Sequence, residues 1–126
     1  MTRNELGGFL QEIRAKHGER LLDMARKLGK SSAFISAIET GRKQVPEKFA
    51  ESVSRIYNLS QGEQDRLNRA SDRSRETFTL QPETKLEKEM VGLMARKLNT
   101  LEKSELDEIF AVLSKKQGQS DHEPER

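Results

Sequence analysis

Residues 20–42 read RLLDMARKLGKSSAFISAIETGR, and this stretch decides how the chain is read. It divides at Gly29 into two short helical runs. The first spans about Arg20 to Leu28. The second begins at Ser31 or Ser32, both good N-cap residues, and continues to Glu39, with Gly41 suited to the left-handed position beyond its end. Two short helices that cross closely impose demands at fixed spacing. A small residue must sit in the middle of the first, under the crossing point, and Ala25 is there. The turn four residues later favours a residue that tolerates positive φ, and Gly29 fills it. Ile35 and Ile38, three apart, lie on one face and hold the second helix to the first. Met24 and Leu28 complete the pocket between them.

Working outward, Leu6, Phe9, Leu10 and Ile13 fall at i, i+3, i+4 and i+7, which predicts a helix from about Asn4 to His17. Gly18 stops it. Gly7 and Gly8 are unusual inside a helix; they either permit close packing of a neighbour or mark a frayed first turn. Pro46 suits the first turn of a fourth helix that runs to about Tyr57, with Phe49, Ala50, Val53, Ile56 and Tyr57 inward. Ser60 and Glu63 have capping-box spacing and open a fifth helix, about Gln61 to Arg73, which contributes Leu67 and Ala70. These five helices make a first domain over 1–75. Residues 76–82 read as a linker, polar and ending at Pro82, with Phe78 and Leu80 expected to pack on something. Two amphipathic helices follow within 83–116. One spans about Glu83 to Leu98 and carries Leu86, Met90, Leu93, Met94 and Leu98. The other spans about Glu102 to Lys115 and carries Leu106, Ile109, Phe110 and Leu113. Residues 117–126 are expected to be a disordered tail.

Composition narrows the function. Charged residues make up 35% of the chain and aromatics 5%, and cysteine is absent. Disulfides, cysteine-ligated zinc and cysteine nucleophiles are therefore excluded. No apolar run approaches the roughly 18 residues of a membrane span, and the opening Met-Thr-Arg-Asn-Glu lacks the apolar stretch of a signal peptide, so a cytoplasmic location is expected. Residues 1–75 hold 15 Lys/Arg against 10 Asp/Glu, and residues 76–126 hold 8 against 11. A basic first part with an acidic remainder fits a module that binds a polyanion. The two histidines, His17 and His122, neighbour no nucleophile or metal-ligand cluster. Carboxylate pairs such as Glu87/Glu89 and Asp107/Glu108 sit on solvated faces. The chain is expected to be no enzyme and to take no cofactor or metal.

Ala25, Gly29, Ile35 and Ile38, followed by Glu39-Thr40-Gly41-Arg42-Lys43 and Pro46, resemble the helix-turn-helix of the phage-repressor/Cro (XRE) family of transcriptional regulators. The similarity covers roughly residues 4–72. It implies an all-α fold, a five-helix lambda-repressor-like DNA-binding domain, here followed by the C-terminal helical pair. It also implies that the second helix of the motif enters the major groove of double-stranded DNA. The base-facing positions it assigns are Ser32, Ala33 and Ala37, flanked by Phe34 and Ser36. Here the chain departs from many relatives, because none of these three is an Arg, Lys, Asn or Gln, the strong base readers. Direct readout from this helix is therefore expected to be weak, with specificity leaning on Lys30, Arg42, Lys43, Gln44 and DNA shape. Arg20, Lys30, Ser36, Arg42 and Lys43 are the expected phosphate contacts, with Ser31 at the helix start and the fourth helix's N-terminus offering N–H groups.

The helices of 83–116 are too short for an independent core, so each must bury its stripe against something. The expected arrangement is a homodimer, a repressor on a palindromic operator, because two-fold pairing spans half-sites about 34 Å apart. The alternative is an antitoxin-like protein that neutralises a partner through 83–116 and autoregulates its operon. The roughly 45 residues after the linker are too few for a β-rich self-cleaving domain, so none is expected.

Overall fold

The computed structural model describes residues 3–117, all of whose regular elements are helical. It divides into two compact units, Met1–Phe78 and Thr79–Arg126. The first holds α1 (Glu5–Lys16), α2 (Leu21–Leu28), α3 (Ser32–Glu39), α4 (Phe49–Ile56) and α5 (Gln61–Arg73). The second holds α6 (Lys85–Lys97), a 3₁₀ turn at Leu98–Thr100, and α7 (Lys103–Gln117). Among the described residues, no helix is long and apolar enough to cross a membrane. Of the expected disordered tail, Gln117 closes α7, and residues 118–126, His122 included, lie outside the described residues.

The core of the first unit is the set that periodicity selects. Leu6, Leu10, Met24, Ala25, Ile35, Ile38, Val53 and Leu67 are fully enclosed, and Phe9, Ile13, Phe49, Ala50, Tyr57 and Ala70 are buried beside them. Fully burying one such aliphatic or aromatic side chain stabilises a fold by roughly 1.5–3 kcal/mol. Val45 and Leu59, which lie between helices, join this core. Ile56, on the expected inner face of α4, is instead exposed.

Local chemistry sets the helix ends. The Asn4 side chain accepts a 2.7 Å hydrogen bond from Gly7 N–H and caps α1. Gly29 closes α2 in the left-handed region at φ 70°. Ser60 and Glu63 form the expected reciprocal box at α5. The Glu63 carboxylate also accepts from Lys16 Nζ at 2.8 Å. That bond first, and the Ser60 N–H second, hold its pKa down at about 2. The Lys16–Glu63 bond clasps the end of α1 to the start of α5.

The fourth helix begins later than its proline suggests. Pro46 lies in a turn whose carbonyl accepts from Phe49 N–H at 3.1 Å, and α4 starts at Phe49 with Lys48 as its N-cap. The cause is Val45, which is buried and whose carbonyl is held by Arg75 Nη1 at 3.0 Å. The chain must turn after that anchor before Phe49 can enter the core.

Gly7 and Gly8 separate cleanly. Both lie inside α1, so the first turn is regular. A Cβ at Gly7 would stand 2.5 Å from the Glu39 carbonyl oxygen, whereas one at Gly8 would meet nothing within 4 Å. Gly7 is the point where α1 meets the end of α3.

In the second unit, the Thr84 hydroxyl caps α6 in a reciprocal box with Glu87. Backbone N–H groups of Glu83 and Thr84 hold the Glu87 carboxyl below its usual range. No residue of α6 is buried. Leu86, Met90, Leu93 and Leu98, together with Leu106, Ile109, Phe110, Val112 and Leu113, are exposed.

Candidate nucleic-acid interface

Three observations fix the disposition of α2 and α3. Ala25 is fully buried, Gly29 makes the turn, and Ile35 and Ile38 are fully buried on the inner side of α3. The opposite side of α3 is left to Ser32, Ala33, Ser36 and Ala37, of which Ala33 is exposed and the other three half-buried. This surface is shallow and chemically sparse. Two hydroxyls and two methyls stand where long amides or guanidiniums would be needed for bidentate base contacts.

The flanking groups are richer. Ser31 is the N-cap of α3, and its hydroxyl accepts from Phe34 N–H at 3.0 Å. That bond gives Ser31 a structural duty and leaves its O–H free to donate. Phe34 packs on the core, with its ring centroid 6.3 Å from that of Phe49. Lys30 Nζ and Lys43 Nζ stand 5.1 and 5.5 Å from the Phe34 centroid. One aromatic ring thereby gathers two cations from opposite ends of α3, an arrangement worth about 0.5–1 kcal/mol per contact at exposed sites.

Arg20 is the exposed N-cap of α2. Its N–H donates to Asp23 at 2.8 Å and its guanidinium lies 3.5 Å from the same carboxylate. The backbone bond first, and the Arg20 charge with it, hold Asp23 below the usual carboxylate range. After α3, Arg42 Nε donates to the Thr40 hydroxyl at 3.2 Å, and that hydroxyl donates to the Ser36 carbonyl at 2.9 Å.

Gln44 is exposed and also makes contacts within the chain. Its side-chain oxygen accepts from Glu76 N–H at 2.9 Å and its amide nitrogen donates to the Thr77 hydroxyl at 3.4 Å. Arg75 joins the same arrangement, bonding to Val45 and Thr77 carbonyls and standing 5.2 Å from the Phe78 centroid. The first residues of the expected linker are therefore strapped onto the loop before α4, and Gln44 is occupied as a strap-holder. Phe78 and Leu80, both expected to pack, are exposed.

Sequence reading missed the buried charges behind the motif. Arg14 and Glu39 are only 6% and 3% exposed. They join α1 to α3 through Nη1–Oε2 at 2.5 Å and Nη2–Oε1 at 3.4 Å. Arg14 Nη1 also reaches Met24 Sδ at 3.4 Å. A sign was available: Arg14 follows Leu10 by four positions and so falls on the apolar face of α1. A second cluster lies at the other end of α2. Glu19 accepts from Tyr57 Oη at 2.6 Å and pairs with Lys27. Burial pushes the Glu19 carboxyl up, but its bonds to Lys27 and Tyr57 outweigh that and leave it lowered. Burial, and then the bond to Glu19, raise Tyr57 well above the ordinary phenol range.

A family model described as a helix-turn-helix domain matches residues 5–67, half of the chain. Comparison with the curated proteins and with the solved structures found no significant match.

Proposed function

The chain belongs to the helix-turn-helix domain family, and from that premise we propose that it is a sequence-specific DNA-binding transcriptional regulator. It acts as a homodimeric repressor on a palindromic operator, with α3 seated in the major groove. The observation that carries the reading is the packing of α3. Its Ile35 and Ile38 are wholly enclosed against α2, so the side bearing Ser32, Ala33, Ser36 and Ala37 is the one left to meet a groove.

Small side chains at those positions make few base contacts. Affinity then rests on phosphate contacts from Arg20, Lys30, Arg42 and Lys43 and on DNA shape. Gln44 is left out of this set because its amide holds the strap at Glu76 and Thr77. Weak half-site readout needs two half-sites read together, and the exposed apolar stripes of α6 and α7 are suited to pairing with a second copy. The same stripes support the antitoxin-like alternative, in which a partner protein takes the place of the second copy. The reading includes no catalysis and no cofactor.

The experiment is a salt titration of duplex binding. Arg42→Ala and Lys43→Ala should each weaken binding to every duplex tested and flatten the plot of log affinity against log salt by about 0.9 per lost contact. Slopes unchanged in both variants would remove these residues from the phosphate contacts. A wild-type chain that binds no duplex at low salt would remove the reading itself.

A further inference from the structure

An open pocket of about 400 Å³ lies beside the end of α3, lined by Arg3, Leu21, Ser36, Glu39, Thr40 and Arg42. Its lining brings the Glu39 carboxylate together with two arginines nearly forty residues apart, one of which, Arg3, precedes the first helix and belongs to no recognised part of the motif.

Arg3 is held in place by its neighbour. Asn4 N–H donates to the Glu39 carbonyl at 2.8 Å, and Asn4 Nδ2 donates to the Ile38 carbonyl at 3.2 Å. These two bonds fix the chain entering α1 against the end of α3. Arg3 Nε then donates to Glu39 Oε1 at 3.4 Å, with the Arg3 side chain 46% exposed. Among the described residues, its two terminal nitrogens have no partner. The other Glu39 oxygen belongs to Arg14. One carboxylate thus faces two guanidiniums, and the cluster is positive before Arg42 is counted. Arg42 is steadied in turn, since Thr40 accepts from its Nε while donating to the Ser36 carbonyl.

Two guanidiniums that are anchored through Nε and keep their terminal nitrogens for a ligand form a receptor for a tetrahedral oxyanion. Planar forks of this kind suit phosphate oxygens. Ser36 places the pocket at the edge of the α3 surface assigned to the groove, where the ligand at hand is a backbone phosphodiester. We propose that this pocket grips one DNA phosphate between Arg3 and Arg42, and that Arg3 makes the entry to α1 part of the docking surface. The inference rests on the DNA-binding reading above and adds to it a contact residue outside the motif.

The test uses the full chain and a duplex of random sequence, titrated with salt. Arg3→Ala should weaken binding and flatten the salt slope by up to about 0.9 per protomer, the share of one phosphate, while Arg3→Lys, which keeps the charge, should keep the slope. The thermal transition of Arg3→Ala should stay close to wild type, because the buried Arg14–Glu39 pair is untouched. Because both arginines hold one phosphate, the double variant with Arg42→Ala should bind tighter than the product of the two single losses requires. If the wild type binds duplex and Arg3→Ala leaves slope and affinity unchanged, the pocket assignment falls while the DNA-binding reading stands. Losses that multiply independently would overturn the shared phosphate. A wild type that binds no duplex would overturn both readings at once.

Discussion

Replacing Glu39 by Gln is expected to cost the N-terminal unit about 3–5 kcal/mol of stability, the usual penalty for stranding one charge of a buried pair. The carboxylate is 3% exposed and is the counter-charge for Arg14, itself 6% exposed. The Gln amide is nearly isosteric, so packing is preserved while the guanidinium loses its neutralising partner. For a unit of this size such a loss lowers the melting temperature by about 12 °C or more. In urea, the midpoint should drop with an unchanged slope. Replacing both partners by apolar residues, as in Arg14→Met with Glu39→Leu, should recover most of the loss, because no charge is then left in the interior. A loss below about 1 kcal/mol for Glu39→Gln would mean that the pair behaves like a solvated surface bridge.

The second large effect lies in the other unit. Leu93→Asp together with Ile109→Asp should convert the full-length chain from dimer to monomer in sedimentation. Both leucine and isoleucine stand exposed on the stripes of α6 and α7, and a carboxylate at either would have to be desolvated in a paired interface. Affinity for a two-half-site operator should fall by about 10²–10⁴-fold, the range that linking two weak contacts ordinarily supplies. Binding to a single half-site should stay as it was. The thermal transition of the first unit should also hold, since every one of its core residues lies between Leu6 and Ala70. A wild-type chain that sediments as a monomer at high concentration would end the dimer reading and leave the stripes to a partner protein.

The sequence discloses much of this fold because much of it is built from local, periodic signals. Leu6, Phe9, Leu10 and Ile13 repeat at helical spacing, and all four are buried. Gly29 and Gly41 both take positive φ, and the Ser60–Glu63 box is formed. What stayed hidden depends on contacts between distant positions. Nothing near Gln44 signals that its amide bonds to residues 76 and 77, since the partner lies more than thirty residues away. Val45 sits among polar neighbours, and its burial follows from the path of the loop and not from any period. Pro46 reads as a helix start by local preference, but that buried neighbour delays the helix to Phe49. Arg14 breaks the apolar face of α1, and its partner Glu39 breaks the end of α3. Each alone looks like an irregularity; together they are one ion pair.

The candidate site divides the same way. The positions of Ser32, Ala33, Ser36 and Ala37 on α3 follow from spacing. Ser31 is legible as one of two candidate caps, and the structure selects it, whereas the role of Phe34 as a packed ring that gathers Lys30 and Lys43 appears only in three dimensions. Arg3 carries no local signal beyond its charge, and gains meaning only because Asn4 ties it to the end of α3.

Selection of duplexes from a random pool by the purified full-length chain tests the central claim most directly. The account predicts enrichment of a two-fold symmetric site, with half-site centres about one helical turn, roughly 34 Å, or a multiple of it apart, and only modest base preference within each half. Enrichment of no sequence, or of a single asymmetric half-site, would contradict it.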